Sequence, residues 1–154
     1  MRYTPLLVPA LLLTAIDQVF KHLALKHISV HESIRITDFF NLVLVRNFGA
    51  AFGFLNDPSS NWQIWFFFLA TLVACGTVFF LARSEDGKDK VFLLALGLIL
   101  GGAAGNFADR LRLGAVVDFL DFHYGTLHWP AFNLADMGIC AGAGLIALRI
   151  FRHK

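Results

Sequence analysis

The stretch Val116–Asp136 reads VVDFLDFHYGTLHWPAFNLAD. Its first part places Asp118 and Asp121 among apolar and aromatic residues, and its last residues put Asp136 in the first turns of a long apolar segment. Acidic side chains at membrane depth are costly, so a chain that carries them usually uses them. We therefore interpret the remainder of the chain as a scaffold that brings other polar groups to Asp118 and Asp136.

The composition indicates a membrane protein. Of the 154 residues, 57% are hydrophobic, 16% are charged and 17 are Phe, and the mean hydropathy is +0.65. A soluble domain of this size could not bury so much apolar surface. The formal net charge of +2 does not suggest a nucleic-acid partner. Neither the two cysteines nor the six histidines have metal-ligand spacing, so we expect no metal and no cofactor in one membrane-embedded domain, residues 1–154.

Four apolar segments are long enough to cross a hydrocarbon core, which takes about 20 residues. They cover about 5–25, 62–82, 91–111 and 130–151. The predicted fold class is therefore an α-helical integral membrane protein with four transmembrane helices. Between the first two, Ile34 and Ile36 alternate with polar neighbours and 42–45 is a short apolar run, which predicts a small extracytoplasmic sheet or loop cradle.

The basic residues favour one orientation in the membrane. The short Arg83–Lys90 loop and the C-terminal tail carry positive charges close to helix ends, so both termini are expected in the cytoplasm. In that topology helices 1, 3 and 4 bring their polar residues to the same outer leaflet, and Asp118 arrives from the loop before helix 4. These helix residues are Asp17, Lys21, Asn106, Asp109, Arg110, Asn133 and Asp136.

Small residues predict where helices approach closely. Helix 3 carries glycines at successive i+4 positions with Gly102 beside them, and helix 4 carries two more. The first set is Gly97, Gly101 and Gly105, and the second is Gly138 and Gly142. We expect the two sets to pack together. This packing would hold three polar residues of helix 3 against Asn133 and Asp136, namely Asn106, Asp109 and Arg110.

The segment Asn47–Gly53 mixes glycine, alanine and phenylalanine, including Gly49 and Phe52. One interpretation is an aromatic belt at the membrane interface. The other is a lid or cradle over an apolar substrate, with Asn47 supplying hydrogen bonds. The sequence leaves both interpretations open.

Five segments together resemble the bacterial lipoprotein signal peptidase (signal peptidase II) family. They are Asp17–Lys21, Asn47–Gly53, Gly101–Arg110, Val116–Phe119 and Phe132–Asp136. The resemblance covers nearly the whole chain, in the order that the family has. It implies an intramembrane aspartyl endopeptidase that cuts diacylglyceryl-modified prolipoproteins just before the lipid-modified cysteine, with its active site towards the periplasmic face of the bacterial inner membrane.

Carried onto this chain, the catalytic dyad of the family falls on Asp118 and Asp136, with Asp121 outside it. The resemblance further implies prolipoprotein substrates, membrane lipids and globomycin-type cyclic peptide inhibitors as partners, and a monomeric protein. Substrate binding or shaping of the site is expected from Asp17, Lys21, Asn47, Gly49, Phe52, Gly102, Asn106, Asp109, Arg110 and Asn133.

The residues also fit this chemistry on physical grounds. Two carboxylates held close together cannot both ionise cheaply, so one keeps a proton while the other takes a proton from water. Arg110 and Asn133 are candidate donors to the peptide or to the oxyanion. A four-helix transporter would explain intramembrane acids equally well, but it should show midplane acids or internal repeats. A lipoprotein-binding chaperone would give no reason for two acids at Asp118 and Asp136.

Overall fold

A computed structural model describes residues 2–30, 32–49, 62–84 and 89–152. Its elements in chain order are α1 (Thr4–His27), β1 (Ser33–Arg35), β2 (Phe40–Asn47), α2 (Trp62–Ser84), α3 (Lys90–Leu113), β3 (Val116–Tyr124), β4 (Leu127–His128) and α4 (Leu134–Arg152). Phe52 and the rest of the proposed lid beyond Gly49 lie outside the described residues.

All four helices are long and apolar enough to cross a membrane, which confirms the predicted fold class. The helix α3 lies at the centre, because α1, α4 and α2 all pack against it. It is also the most buried of the four, whereas α2 is exposed along most of its length. Exposed Leu and Phe side chains on α2 are therefore suited to contact lipid.

The glycine face of α3 packs against α1, so the predicted pairing with α4 is wrong for this face. A β-carbon at Gly97 would meet the backbone of Leu6, and one at Gly101 would lie 2.6 Å from the carbonyl oxygen of Ala10. One turn further on, a β-carbon at Gly105 would lie 2.7 Å from Asp17 Oδ2. The i+4 spacing defines a single helix face, and α1 occupies that face along its length.

The contact of α3 with α4 uses the neighbouring face. A β-carbon at Gly102 would collide with the carbonyl oxygen of Ala135, and one at Gly142 would lie 2.6 Å from the carbonyl oxygen of Ala95. Gly138, which was also expected to face α3, instead lies against Leu13 of α1. Both α1 and α4 therefore approach α3 at backbone distance.

The predicted sheet is confirmed and is larger than expected. It is antiparallel with strand order β1-β2-β3-β4, so two of its strands come from the connection between α3 and α4. Asp118 was expected on a loop, but it lies on β3 opposite Val45 of β2. The run 116–119 is buried on both faces, so it lacks the alternation of apolar and polar residues that usually identifies a strand.

The helix α4 begins at Leu134, four residues later than expected. Phe132 instead forms an antiparallel bridge with Leu120, donating from its own nitrogen at 3.1 Å and accepting from the Leu120 nitrogen at 2.9 Å. Asn133 then accepts a hydrogen bond from the backbone nitrogen of Asp136 at 3.0 Å, in the manner of an N-cap. The strand bridge and the cap together fix the point at which the chain turns back into the membrane.

Candidate active site

A cavity of about 440 Å³ opens where α3 and α4 meet β2 and β3. One part of its wall is polar and the other is apolar. The polar residues are Asn47, Asn106, Arg110, Asp118 and Asp136, and the apolar ones include Trp129, Pro130, Ala131, Phe132 and Ile139. Sequence reasoning anticipated the polar side and the motif that begins at Phe132, but it did not single out 129–131, whose signal was the unusual Trp-Pro-Ala run beside that motif.

Asp118 is almost completely buried and is held by two asparagines. Its Oδ1 accepts a hydrogen bond from Asn133 Nδ2 at 2.6 Å, and its Oδ2 accepts one from Asn47 Nδ2 at 3.1 Å. Burial, with the negative charge of Asp136 in addition, raises the pKa of Asp118 to about 7 despite these hydrogen bonds. The carboxyl group is thus poised to hold a proton near neutral pH.

Asp136 is half-buried in the first turn of α4 and contacts the same network from the other side. Its Oδ1 accepts from Asn106 Nδ2 at 2.8 Å, and its Oδ2 accepts from the backbone nitrogen of Asn133 at 3.2 Å. Asn133 is therefore bonded to both carboxylates, since its amide nitrogen donates to Asp118 and its backbone nitrogen to Asp136.

Lys21 is the centre of a buried ion cluster beneath these carboxylates. Its Nζ lies 2.8 Å from Asp17 Oδ2 and 2.9 Å from Asp109 Oδ2, and it donates to Asn106 Oδ1 at 2.9 Å. The ammonium group is therefore paired with two buried carboxylates and donates to one side-chain amide oxygen. Because the side-chain oxygen Oδ1 of Asn106 faces Lys21, the side-chain nitrogen Nδ2 of Asn106 is directed to Asp136.

The two acids of the ion cluster also fasten the elements that carry the cavity carboxylates. Asp17 Oδ1 accepts from the backbone nitrogen of Ala135 at 2.9 Å, which ties the first turn of α4 to α1. Asp109 Oδ2 accepts from the backbone nitrogen of Val117 at 3.1 Å, which ties β3 to α3. Since Ala135 and Val117 each precede a cavity aspartate, the cluster sets the positions of both.

Arg110 connects the cavity to two other elements. Its Nη2 donates to the carbonyl oxygen of Gly49 at 2.9 Å, and its guanidinium carbon lies 4.0 Å from the ring centroid of Phe67 on α2. Its buried Nε has no hydrogen-bond partner among the described residues. This part of the guanidinium is therefore a donor still to be satisfied, on a residue that lines the cavity.

Gln18 is a part of the network that sequence reasoning missed. Its Nε2 donates to Asp109 Oδ1 at 2.9 Å and to the carbonyl oxygen of Gly105 at 3.1 Å. Its Oε1 accepts from Arg112 Nη1 at 3.0 Å. The available signal was its position next to Asp17, because an uncharged amide in an apolar helix also needs partners.

Asp121 belongs to a separate cluster on the sheet. Its carboxylate accepts from Asn41 Nδ2 at 2.9 Å and lies 2.9 Å from His128 Nδ1. Burial acts to raise the pKa of Asp121, but the hydrogen bonds from Asn41 and His128 and the positive charge of His128 outweigh it and lower the pKa. The lining of the cavity does not include this residue.

Four membrane-spanning helices with two carboxylates in one cavity define a multi-pass membrane enzyme of the aspartic protease class. Residues 9–152 match the family model described as signal peptidase (SPase) II. The chain therefore belongs to the signal peptidase II family, as its sequence motifs indicated. This membership excludes the transporter and chaperone interpretations.

Relatives and solved structures agree with that membership. The chain is 53% identical to the lipoprotein signal peptidase of Oleidesulfovibrio alaskensis over 119 residues. This match covers 77% of this chain and 76% of the relative. It is 44% identical over 154 residues to that of Nitratidesulfovibrio vulgaris, covering 99% and 93% respectively. A bacterial membrane enzyme solved by the in meso method at 1.9 Å resolution superposes with a TM-score of 0.81, at 28% identity and over 96% and 92% of the two chains.

Proposed function

We propose that this prolipoprotein signal peptidase cuts its substrate just before a diacylglyceryl-modified cysteine, with Asp118 and Asp136 as the residues that activate water. The observation that carries the proposal is that the two carboxylates, one from β3 and one from α4, line the same cavity. The pKa of Asp118, raised to about 7 by burial and by the charge of Asp136, supports one shared proton at neutral pH.

In this mechanism the proton rests on Asp118, and the ionised Asp136 is the general base. Asp136 removes a proton from water as the water oxygen attacks the scissile carbonyl carbon, while Asp118 gives its proton to the carbonyl oxygen. The tetrahedral intermediate then collapses: the C–N bond breaks, the amine nitrogen takes the proton held by Asp136, and the hydroxyl proton returns to Asp118. The pair is thereby restored to its starting state.

The two walls of the cavity suit the two chemical parts of the substrate. The peptide lies on the polar side, where Arg110 Nε is available to donate to a peptide carbonyl. The acyl chains of the modified cysteine lie along the apolar side between Trp129 and Ile139, continuing into membrane lipid. Globomycin-type cyclic peptides would inhibit by occupying the same cavity.

Orientation and assembly complete the proposal. Both termini lie in the cytoplasm and the cavity opens towards the periplasmic leaflet, where a lipid-anchored cysteine would arrive. The basic residues near the helix ends on the Arg83 side support this orientation. The chain works as a monomer and a single domain, residues 1–154.

The experiment is cleavage of a synthetic diacylglyceryl-cysteine lipopeptide by purified protein in detergent, with and without a chelator. We compare wild type with Asp118→Asn and Asp136→Asn, and Asp38→Asn serves as the control because Asp38 is an exposed residue of the bend between β1 and β2, outside the cavity. The expected result is chelator-resistant cleavage before the cysteine by wild type and Asp38→Asn, and none by folded dyad variants. Near-normal cleavage by either dyad variant overturns the assignment.

A further inference from the structure

A second cavity, of about 270 Å³, lies between α1 and α2 and has α3 as its floor. It occupies the opposite end of the helices from the active site. Its inner lining is apolar and comes from three helices: Leu6 and Leu7 of α1, Cys75, Val78 and Phe79 of α2, and Leu100 of α3. We call this cavity the inner crevice.

Two arginines stand at one end of the inner crevice. Arg83 lines it at the end of α2, and Arg2 lies just before α1, donating from Nη2 to the carbonyl oxygen of Arg83 at 2.8 Å. Both side chains are exposed. The guanidinium of Arg2 lies 5.0 Å from the ring centroid of Tyr3, and that of Arg83 lies 5.6 Å from that of Phe79. Both cations are thus held beside the crevice at the same membrane boundary.

We propose that the inner crevice is a binding site for one anionic phospholipid. An acyl chain fills the apolar part between α1 and α2, and the phosphate lies against the guanidiniums of Arg2 and Arg83. Basic residues at the mouth of an apolar space between transmembrane helices suit an anionic headgroup. Guanidinium groups bind phosphate by charge-assisted and often paired hydrogen bonds.

The shape of the site distinguishes a phospholipid from a free phosphate. The charges lie only at the boundary end, while the remaining lining residues named above are apolar, so the site matches an amphiphile. The bound lipid would connect α1 to α2, which both pack against α3. Occupancy should therefore stabilise the helix bundle without touching the catalytic cavity.

The test is native mass spectrometry of the full-length protein with phosphatidylglycerol and phosphatidylcholine that have the same acyl chains. Wild type is expected to retain at least threefold more phosphatidylglycerol than phosphatidylcholine, roughly the discrimination that one ion pair of about 0.7 kcal/mol gives. Arg83→Gln should lower this preference, because it leaves Arg2 as the only one of the two proposed phosphate-binding guanidiniums. Lys90→Gln is the matched control, because Lys90 is an exposed cation at the start of α3 that does not line the crevice.

A second pair of variants tests the apolar part. Leu7→Trp should fill the inner crevice and lower retention of both lipids, while Leu11→Trp, one turn further along the exposed face of α1, should not. Glycerol phosphate, which lacks acyl chains, should not raise the unfolding temperature, whereas phosphatidylglycerol should. Equal retention of the two phospholipids by wild type, or equal losses in Arg83→Gln and Lys90→Gln, would overturn the proposal.

Discussion

Asn133 and Asp136 cap the first turn of α4 reciprocally. The Asn133 side-chain oxygen accepts from the Asp136 backbone nitrogen at 3.0 Å, and Asp136 Oδ2 accepts from the Asn133 backbone nitrogen at 3.2 Å. This is the arrangement of a capping box, built here with Asn in place of the usual Ser or Thr and Asp in place of the usual Glu or Gln. Since Asn133 Nδ2 also donates to Asp118, one residue sets the geometry of both carboxylates.

Asn133→Ala is expected to affect both stability and the pH profile. Loss of the cap should lower the free energy of unfolding by about 1 kcal/mol. Because the Asn133 hydrogen bond lowers the pKa of Asp118, its loss should raise that pKa further and move the alkaline limb of kcat to higher pH. Asn47→Ala removes the other donor to Asp118 but leaves the cap intact. It should therefore shift the limb with little change in stability, and an unshifted limb in both variants would contradict this account.

Asp118 should make the protein less stable as pH rises. Its pKa is raised in the folded protein from 3.8 to about 7, so the folded state binds more protons than the unfolded state in this window. That contribution is fully present below pH 3.8 and is lost as pH rises through about 7. Asp118→Asn removes the titration, so its unfolding temperature relative to wild type should increase between pH 4 and pH 7 and then level off. Parallel thermal curves for the two proteins across that range would refute this.

Lys21→Met should be among the most damaging single changes. It leaves Asp17 and Asp109 buried without their cation. Removing one partner of a buried ion pair lowers the free energy of unfolding by about 3–5 kcal/mol. It also frees Asn106 to turn its amide away from Asp136. Lys26→Met, on the exposed face of the same helix, is the control and should unfold at the wild-type temperature. Adding Asp17→Asn to Lys21→Met should recover part of the loss, whereas strict additivity of the two changes would argue against the cluster.

Gly102→Ala should reduce activity by more than its loss of folding stability accounts for. The added β-carbon would collide with the carbonyl oxygen of Ala135, so the first turn of α4 must move and carry Asp136 with it. A displacement of about 1 Å in a catalytic group can cost about a hundredfold in rate. Gly144→Ala introduces the same change in α4 at a position where the new β-carbon would meet no other part of the described structure within 4 Å, apart from the adjoining backbone of its own helix. Gly102→Ala should cleave the lipopeptide more slowly than Gly144→Ala does. Equal rates would show that Gly102 does not position Asp136.

The sequence predicted the helices well because their apolar runs are long enough to span a membrane and leave few alternatives. It placed Asp118 on a loop because a strand buried on both faces has no period-two pattern. The sequence also could not predict which helix packs against the glycine face of α3, because both α1 and α4 contain small residues. Only the packing shows that Gly101 faces Ala10. The polar site residues were predicted individually, but the dependence of Asn106 on Lys21 required the distances.

Asp121 and His128 should position the apolar wall of the cavity without taking part in catalysis. Their pair ties β3 to β4, and His128 immediately precedes the 129–132 wall segment. Asp121→Asn weakens this tie while Asn41 still has an acceptor, so the wall should loosen without unfolding the sheet. A partly exposed ion pair contributes up to about 1 kcal/mol, which corresponds to a rise of about fivefold in KM for lipidated substrate at unchanged kcat. His128→Gln should likewise raise KM and leave kcat unchanged, whereas Asp38→Asn should change neither constant. A fall in kcat with constant KM would instead place Asp121 among the groups that act on the reacting atoms.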